Sequence, residues 1–165
     1  MKKFFYFILL LSFIVSCSGV NTNSKENTKL VEDYVSAVQN LDYDSMETYL
    51  SEDYMGYGPS LNDSIGKSGA VENWKKNIDE LYEKIEYKKS RVIAVSIEDG
   101  PNMGEWVSNW AELEITYKGS GDVIKIMTNT TYMIEANKIA KSYTFYNEAD
   151  ALDQLGYVFL NPDNL

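Results

Sequence analysis

Glu105-Trp-Val-Ser-Asn-Trp-Ala-Glu-Leu-Glu-Ile-Thr-Tyr-Lys118, closed by Gly119-Ser-Gly-Asp122 and followed by Val123-Ile-Lys-Ile-Met-Thr-Asn-Thr-Thr-Tyr-Met-Ile134, decides the fold of this chain. Both runs are rich in β-branched and aromatic residues and alternate in polarity, and a glycine-containing cluster separates them, which is the pattern of a long β-hairpin. The pattern extends in both directions. Arg91-Val-Ile-Ala-Val-Ser-Ile97 precedes it across Asp99-Gly-Pro-Asn102, and Ile139 to Tyr146 follows it through Glu135-Ala-Asn-Lys138. Three consecutive hairpins predict a bent antiparallel sheet of about four to five strands, counting Tyr54-Met-Gly-Tyr-Gly-Pro59 as a short strand or a loop.

Upstream the apolar period becomes helical. Leu30, Val31, Tyr34, Val35, Val38 and Leu41 predict an amphipathic helix from Thr28. A second, short helix follows with Asp44 as its cap, Glu47 at the capping-box position and Met46, Tyr49 and Leu50 on its apolar side. Ser68 to about Glu86 predicts a third, with Ser68 as N-cap and Val71, Trp74, Ile78, Leu81 and Ile85 on one face. After the last strand, Glu148 to Leu155 predicts a short helix with Gly156 as its cap. Helices first and then a meander make an α+β fold, in which the sheet covers one face with the helices.

This order, with the ending Lys138-Ile139 through Phe145-Tyr146-Asn147 to Asp153-Gln154-Leu155-Gly156, resembles the SnoaL-like branch of the NTF2-like superfamily over about residues 28 to 157. The resemblance implies an NTF2-like cone: a bent sheet wrapped around three N-terminal helices, enclosing a cavity. Catalytic members of such a family place a carboxylate on the last strand, facing that cavity. The matching position here is Ser142 or Thr144, and neither is an acid near neutral pH, so weight moves from enzyme towards binding module.

At the other end of the chain, Lys2 and Lys3 precede an apolar run from Phe4 to Val15, too short to span a bilayer, which reads as a cleaved export signal over residues 1–16. Ile14-Val15-Ser16-Cys17 resembles the lipobox of bacterial lipoproteins. That likeness implies lipidation of Cys17 and attachment to the cell envelope outside the cytoplasm, and Ser18 resembles the residue found in lipoproteins passed to the outer membrane. Residues 17–27 then read as the lipidated cysteine and a small polar tether, and residues 28–165 as one domain.

Composition removes whole classes of chemistry. The chain has 165 residues, a net charge of −10, one cysteine and no histidine. An acidic chain whose longest basic stretch is Lys88-Lys89 repels phosphate backbones, so nucleic acid is not an expected partner. Without histidine, and with its only thiol acylated, the domain cannot build a Ser-His-Asp triad, a Cys-His pair or a histidine metal site, and neither cofactor nor metal is expected. Acid or base work falls to Asp, Glu, Tyr or Lys. Two look-alikes fall away. Gly66-Lys67-Ser68 lacks the earlier glycine of a phosphate loop and reads as a helix cap, and Asp42-Tyr-Asp44 is followed by Met46 and Glu47 where a calcium loop needs an oxygen ligand and glycine.

Counting by twos across the turns puts Trp106, Ser108, Trp110, Glu112, Asn129, Thr131, Met133, Ser142, Thr144 and Tyr146 on one face, which reads as the pocket lining. The opposite face holds Val107, Ala111, Leu113, Ile115, Ile124, Ile126, Ile134, Ile139 and Phe145; a bulge would exchange parts of these sets. Trp106, Trp110, Glu112, Asn129, Thr131, Ser142, Thr144 and Tyr146 are therefore the candidate ligand contacts. Glu112 is the best catalytic candidate if it lies beside the tryptophans, and an ordinary solvent-facing glutamate otherwise. Trp74 reads as core; Trp106 and Trp110 stay open between core and a stacking platform with tyrosines such as Tyr54, Tyr57 and Tyr82. Three functions compete: an anchored module binding a small ligand or partner protein, a cyclase or isomerase using Glu112 or a tyrosine, and a structural homodimer formed through the apolar sheet face.

Overall fold

The computed structural model describes residues 22–158 and residue 160. The export signal, Cys17 and the start of the expected tether lie outside the described residues. Within them the chain runs α1 (Thr22–Gln39), α2 (Tyr43–Tyr49), β1 (Leu50–Tyr57), β2 (Ser64–Gly66), α3 (Lys67–Glu80), β3 (Tyr82–Ile97), β4 (Gly104–Tyr117), β5 (Val123–Glu135), β6 (Lys138–Tyr146) and α4 (Glu148–Gln154). The fold is α+β, with one six-stranded sheet in the order β2-β1-β6-β5-β4-β3.

The meander is as long as the alternation predicts, but the sheet is mixed and has six strands rather than four to five. β1 pairs with β6 in parallel, and β2 pairs antiparallel with β1. Leu50–Tyr57 escaped reading as a full strand because Glu52-Asp53 and Gly56 break its alternation. The chain bulges there too, between the Leu50–Ile139 and Met55–Lys141 pairs.

Helix boundaries also move, each for a local reason. α1 begins at Thr22, so residues 22–27, expected as tether, are helical; Lys25 and Glu26 are good helix formers and Asn27 is buried. Asp42, not Asp44, caps α2 by accepting from the Ser45 N–H at 3.0 Å, after Leu41 has turned the chain at φ +55°. α3 starts after Gly66 with no side-chain cap, so Ser68 is not its N-cap. It stops at Glu80 rather than Glu86: the Lys118 ammonium donates to the Ile78 carbonyl at 2.7 Å and to that of Asp79, and Tyr82 to Glu86 pair with β4. α4 ends as expected in a Schellman motif, with Gly156 at φ +83° donating to the Asp153 carbonyl and Tyr157 to that of Leu152.

The core lies between the helices and the apolar sheet face. Val31, Tyr34, Val35 and Val38 of α1 pack with Val107, Ile115, Ile124, Ile126, Ile134 and Ile139. Val31, Val107 and Ile139 are wholly inaccessible. Apart from Phe145, which is exposed on the opposite face, the set of residues that looked most like ordinary core faces the helices, and any cavity between the two layers must be lined by it.

Candidate ligand cavity

β5 and β6 are joined by a two-residue turn in which Ala136 and Asn137 both take positive φ, as the primed hairpin turns require. Just beyond it the register slips: Ile134 pairs with Ile139, yet Met133 pairs with Lys141. Ala140 is the extra residue of a β-bulge, and it reverses the facing of everything after it on β6. Ile139 and Ser142 consequently point to the same side, and Tyr132, Thr130 and Thr128 sit opposite Ser142, Thr144 and Tyr146.

This bulge divides the expected site. Ser142, Thr144 and Tyr146 face the helices and line a cavity of about 340 Å³. Trp106, Trp110, Glu112, Asn129 and Thr131 do not line it; they lie on the sheet face turned away from the helices. On that outer face Trp110 is 36% exposed, Trp106 is covered and donates its indole N–H to the Asn102 carbonyl at 2.8 Å, and Asn129 donates to the Ser108 hydroxyl at 2.9 Å. Glu112 pairs with Lys89 in solvent at 2.5 Å, which is its bland alternative. Of the other aromatic candidates, Trp74, Tyr54 and Tyr82 line the cavity, whereas Tyr57 stacks on Tyr143 at 4.7 Å.

The cavity lies between α1, α3 and α4 and strands β3 to β6, with Tyr54 entering from β1. Its walls are aliphatic (Ile85, Leu113, Ile115, Ile124, Ile126) and tyrosine-rich (Tyr34, Tyr54, Tyr82, Tyr87, Tyr117, Tyr132, Tyr146), with Trp74 beside Tyr82. Tyr34, Tyr87, Tyr117 and Tyr132 were missed as site residues. Their signal was available: Tyr132 shares parity with Ile124, Ile126 and Ile134, and Tyr34 lies on the apolar stripe of α1. Read as core, that parity concealed a wall.

Two hydroxyl pairs are made within the wall. The Tyr54 hydroxyl and Ser142 Oγ are 2.7 Å apart, both residues buried. Gly56 makes this contact possible, since a Cβ there would stand 2.6 Å from the Tyr54 hydroxyl oxygen. Thr130 and Thr144 share a second hydroxyl pair at 3.1 Å. Desolvation raises every resolved phenol here. Tyr34 and Tyr132 lie well above the usual range, and Tyr82 and Tyr87 are pushed up to about 12. As a residue Tyr87 is only partly covered, but it is the burial of its hydroxyl that sets this shift. Burial also raises Tyr146, with Glu148 adding to it. Protonated phenols donate and accept hydrogen bonds; they do not abstract protons near neutral pH.

A larger depression of about 740 Å³ lies between α2, β1 and the β5–β6 turn. It is an open groove lined by charged side chains, of which Lys67 pairs with Glu52 at 2.6 Å and Lys138 donates to the Thr48 carbonyl. The cavity beneath the helices is the better site, because its deeper wall is apolar and buried, which gives each placed polar group greater weight. Among the described residues no group of three or more His, Cys, Asp or Glu side chains converges to hold a metal.

No family model matches the chain, and no curated protein matches it. Solved structures do. A protein from Xanthomonas campestris pv. campestris, provisionally described as a polyketide cyclase, superposes with a TM-score of 0.67 at 17% identity, covering 81% of this chain and 99% of that one. An NTF2-like protein from Burkholderia xenovorans gives 0.60 at 15% identity, covering 79% and 96%. A protein of ketosteroid isomerase-like fold from Catenulispora acidiphila, in complex with trimethylamine, gives 0.61 at 14% identity, covering 78% and 93%. A provisionally described SnoaL-like polyketide cyclase is also among the matches. At these identities the likeness is one of fold: this chain has the NTF2-like fold.

Proposed function

We propose that this chain is a lipid-anchored binding protein of the bacterial cell envelope, whose domain takes a small organic molecule into the tyrosine-lined cavity without acid or base catalysis of its own. One observation carries the reading. Among the described residues the only carboxylate on the cavity wall is Glu148, at the start of α4, and the remaining ionisable groups there are tyrosines, those with resolved shifts held protonated by burial. General acid or base help of about 10²–10⁴-fold needs a group whose pKa lies near the working pH, and buried phenols at about 12 are far from it. The anchor rests on the lipobox at residues 14–17. Among the described residues no helix is long and apolar enough to cross a membrane. That one protein of this fold is in complex with trimethylamine favours a small organic ligand.

The test is a thermal-shift screen of the full chain, purified in detergent, against water-soluble neutral and charged fragments. Thr144→Phe, which fills the cavity, is the control. Hits lost in Thr144→Phe with no turnover support the reading, and a screen without such hits refutes it.

An enzyme reading remains, since matched structures are described as cyclases, but Glu112 can no longer serve it from the outer face. It would have to use Glu148 or a tyrosine. The dimer reading also changes face. Apart from Phe145, which the bulge turns outward, the apolar set first assigned to an interface is covered by the chain's own helices; Ile93, Val95, Met127 and Phe145 are exposed on the outer face, each by 46% or more. Apolar exposure on that scale favours a protein contact there.

A further inference from the structure

The partly exposed part of the cavity wall carries four aromatic residues and one carboxylate. Trp74, on α3, lies 6.4 Å from Tyr82, the first residue of β3, with the rings tilted by 58°. Tyr82 in turn meets Tyr117, the last residue of β4, at 5.8 Å and 71°. Tyr146 ends β6, Glu148 opens α4, and both line the same cavity. These four aromatic residues are partly exposed, unlike Tyr34, Tyr54 and Tyr132 deeper in. Among the described residues no lysine or arginine lines the cavity.

Rings set at steep angles cannot all stack on one flat ligand, but their faces can converge on a compact one. An aromatic face carries negative potential, and a cation within about 6 Å gains roughly 0.5–2 kcal/mol per ring, most when desolvated. An anionic ligand would meet Glu148 with no cationic partner in reach. The net charge of −10 also draws cations in and repels anions.

We propose that the cavity's ligand is an organic cation, an ammonium head held among Trp74, Tyr82, Tyr117 and Tyr146 with Glu148 as counter-ion, carrying an apolar remainder towards Ile85, Ile115 and Ile124. This rests on the cavity being a ligand site and names the class that the site selects. A quaternary ammonium head donates no N–H hydrogen bond, so ring faces and one carboxylate suffice to hold it. Its apolar remainder needs only the aliphatic wall beyond.

Isothermal titration calorimetry of the full chain with butyrylcholine, and with its neutral isostere bearing a tert-butyl head, tests the assignment. Butyrylcholine is expected to bind at least about tenfold tighter than the isostere. Tyr82→Leu should weaken it about tenfold and Tyr82→Phe hardly at all, because the ring and not the hydroxyl makes the contact. Glu148→Gln should weaken it about two- to fivefold and leave the isostere unchanged. Equal affinity for the two probes overturns the ammonium assignment, as does a failure of butyrylcholine to bind. The fragment screen separates the two failures: if neutral fragments still enter and are lost in Thr144→Phe, only the cation assignment falls. If no fragment of any charge enters, the cavity reading falls with it.

Discussion

The bulge at Ala140 can be tested through one hydrogen bond. If it turns Ser142 inward, the Tyr54 and Ser142 hydroxyls form a buried pair at 2.7 Å, and removing either one strands the other. A stranded buried hydroxyl costs about 1–3 kcal/mol, whereas removing both partners together can be nearly neutral. Tyr54→Phe and Ser142→Ala should each destabilise by about 1–2 kcal/mol, and the double variant should cost clearly less than their sum. The coupling expected is about 1 kcal/mol or more. Denaturant unfolding of the full chain, followed by tryptophan fluorescence, reads this directly. With a slope of about 2 kcal/mol/M in urea, each single variant should lower the midpoint by roughly 0.5–1 M. Strict additivity, or a neutral Ser142→Ala, would refute the inward facing of Ser142 and the cavity wall built on it. Gly56→Ala is an independent check: its methyl would press on the Tyr54 hydroxyl, and it should destabilise through the same contact.

Stability should fall in alkali. Tyr82 and Tyr87 titrate at about 12 in the fold against 10.0 when exposed, so their contribution is intact below pH 10 and is lost as pH rises through 12. Each would remove on the order of 1.4 kcal/mol per pH unit in that window, and Tyr87→Phe should flatten the decline; an unchanged profile would contradict the burial of that hydroxyl. Glu112→Gln should change stability by less than about 1 kcal/mol and leave ligand affinity untouched, because its ion pair with Lys89 lies in solvent on the outer face. Cys17→Ala should release the protein from membranes or leave the precursor uncleaved, and continued membrane fractionation of the processed mutant would disprove the anchor. Sedimentation analysis should show self-association that Phe145→Glu weakens if the outer face is an interface, and a concentration-independent monomer if it is not.

The amino-acid sequence by itself determined the parts of this protein that depend on local pattern. The period-two runs from Arg91 to Tyr146, the glycine turn at Gly119-Ser-Gly-Asp122, the helical stripe from Leu30 to Val38 and the Schellman glycine at Gly156 are each legible within a few residues. Together they make an α+β meander beneath helices. The absence of histidine likewise bounds the chemistry before any folding. Only the tertiary structure decided which side of the sheet holds the cavity. Facing along a strand alternates with every residue, so one extra residue at Ala140 exchanges inside and outside, and a bulge leaves no mark in composition. The mixed-polarity face carrying Trp106, Trp110 and Glu112 proved to be the outer one for a different reason: the helices pack on the opposite face of β4, through Val107 and Ile115. The aliphatic and tyrosine set, which by local criteria is indistinguishable from core, lines the site, because a wall becomes a cavity only where the opposing helices stop short of filling it.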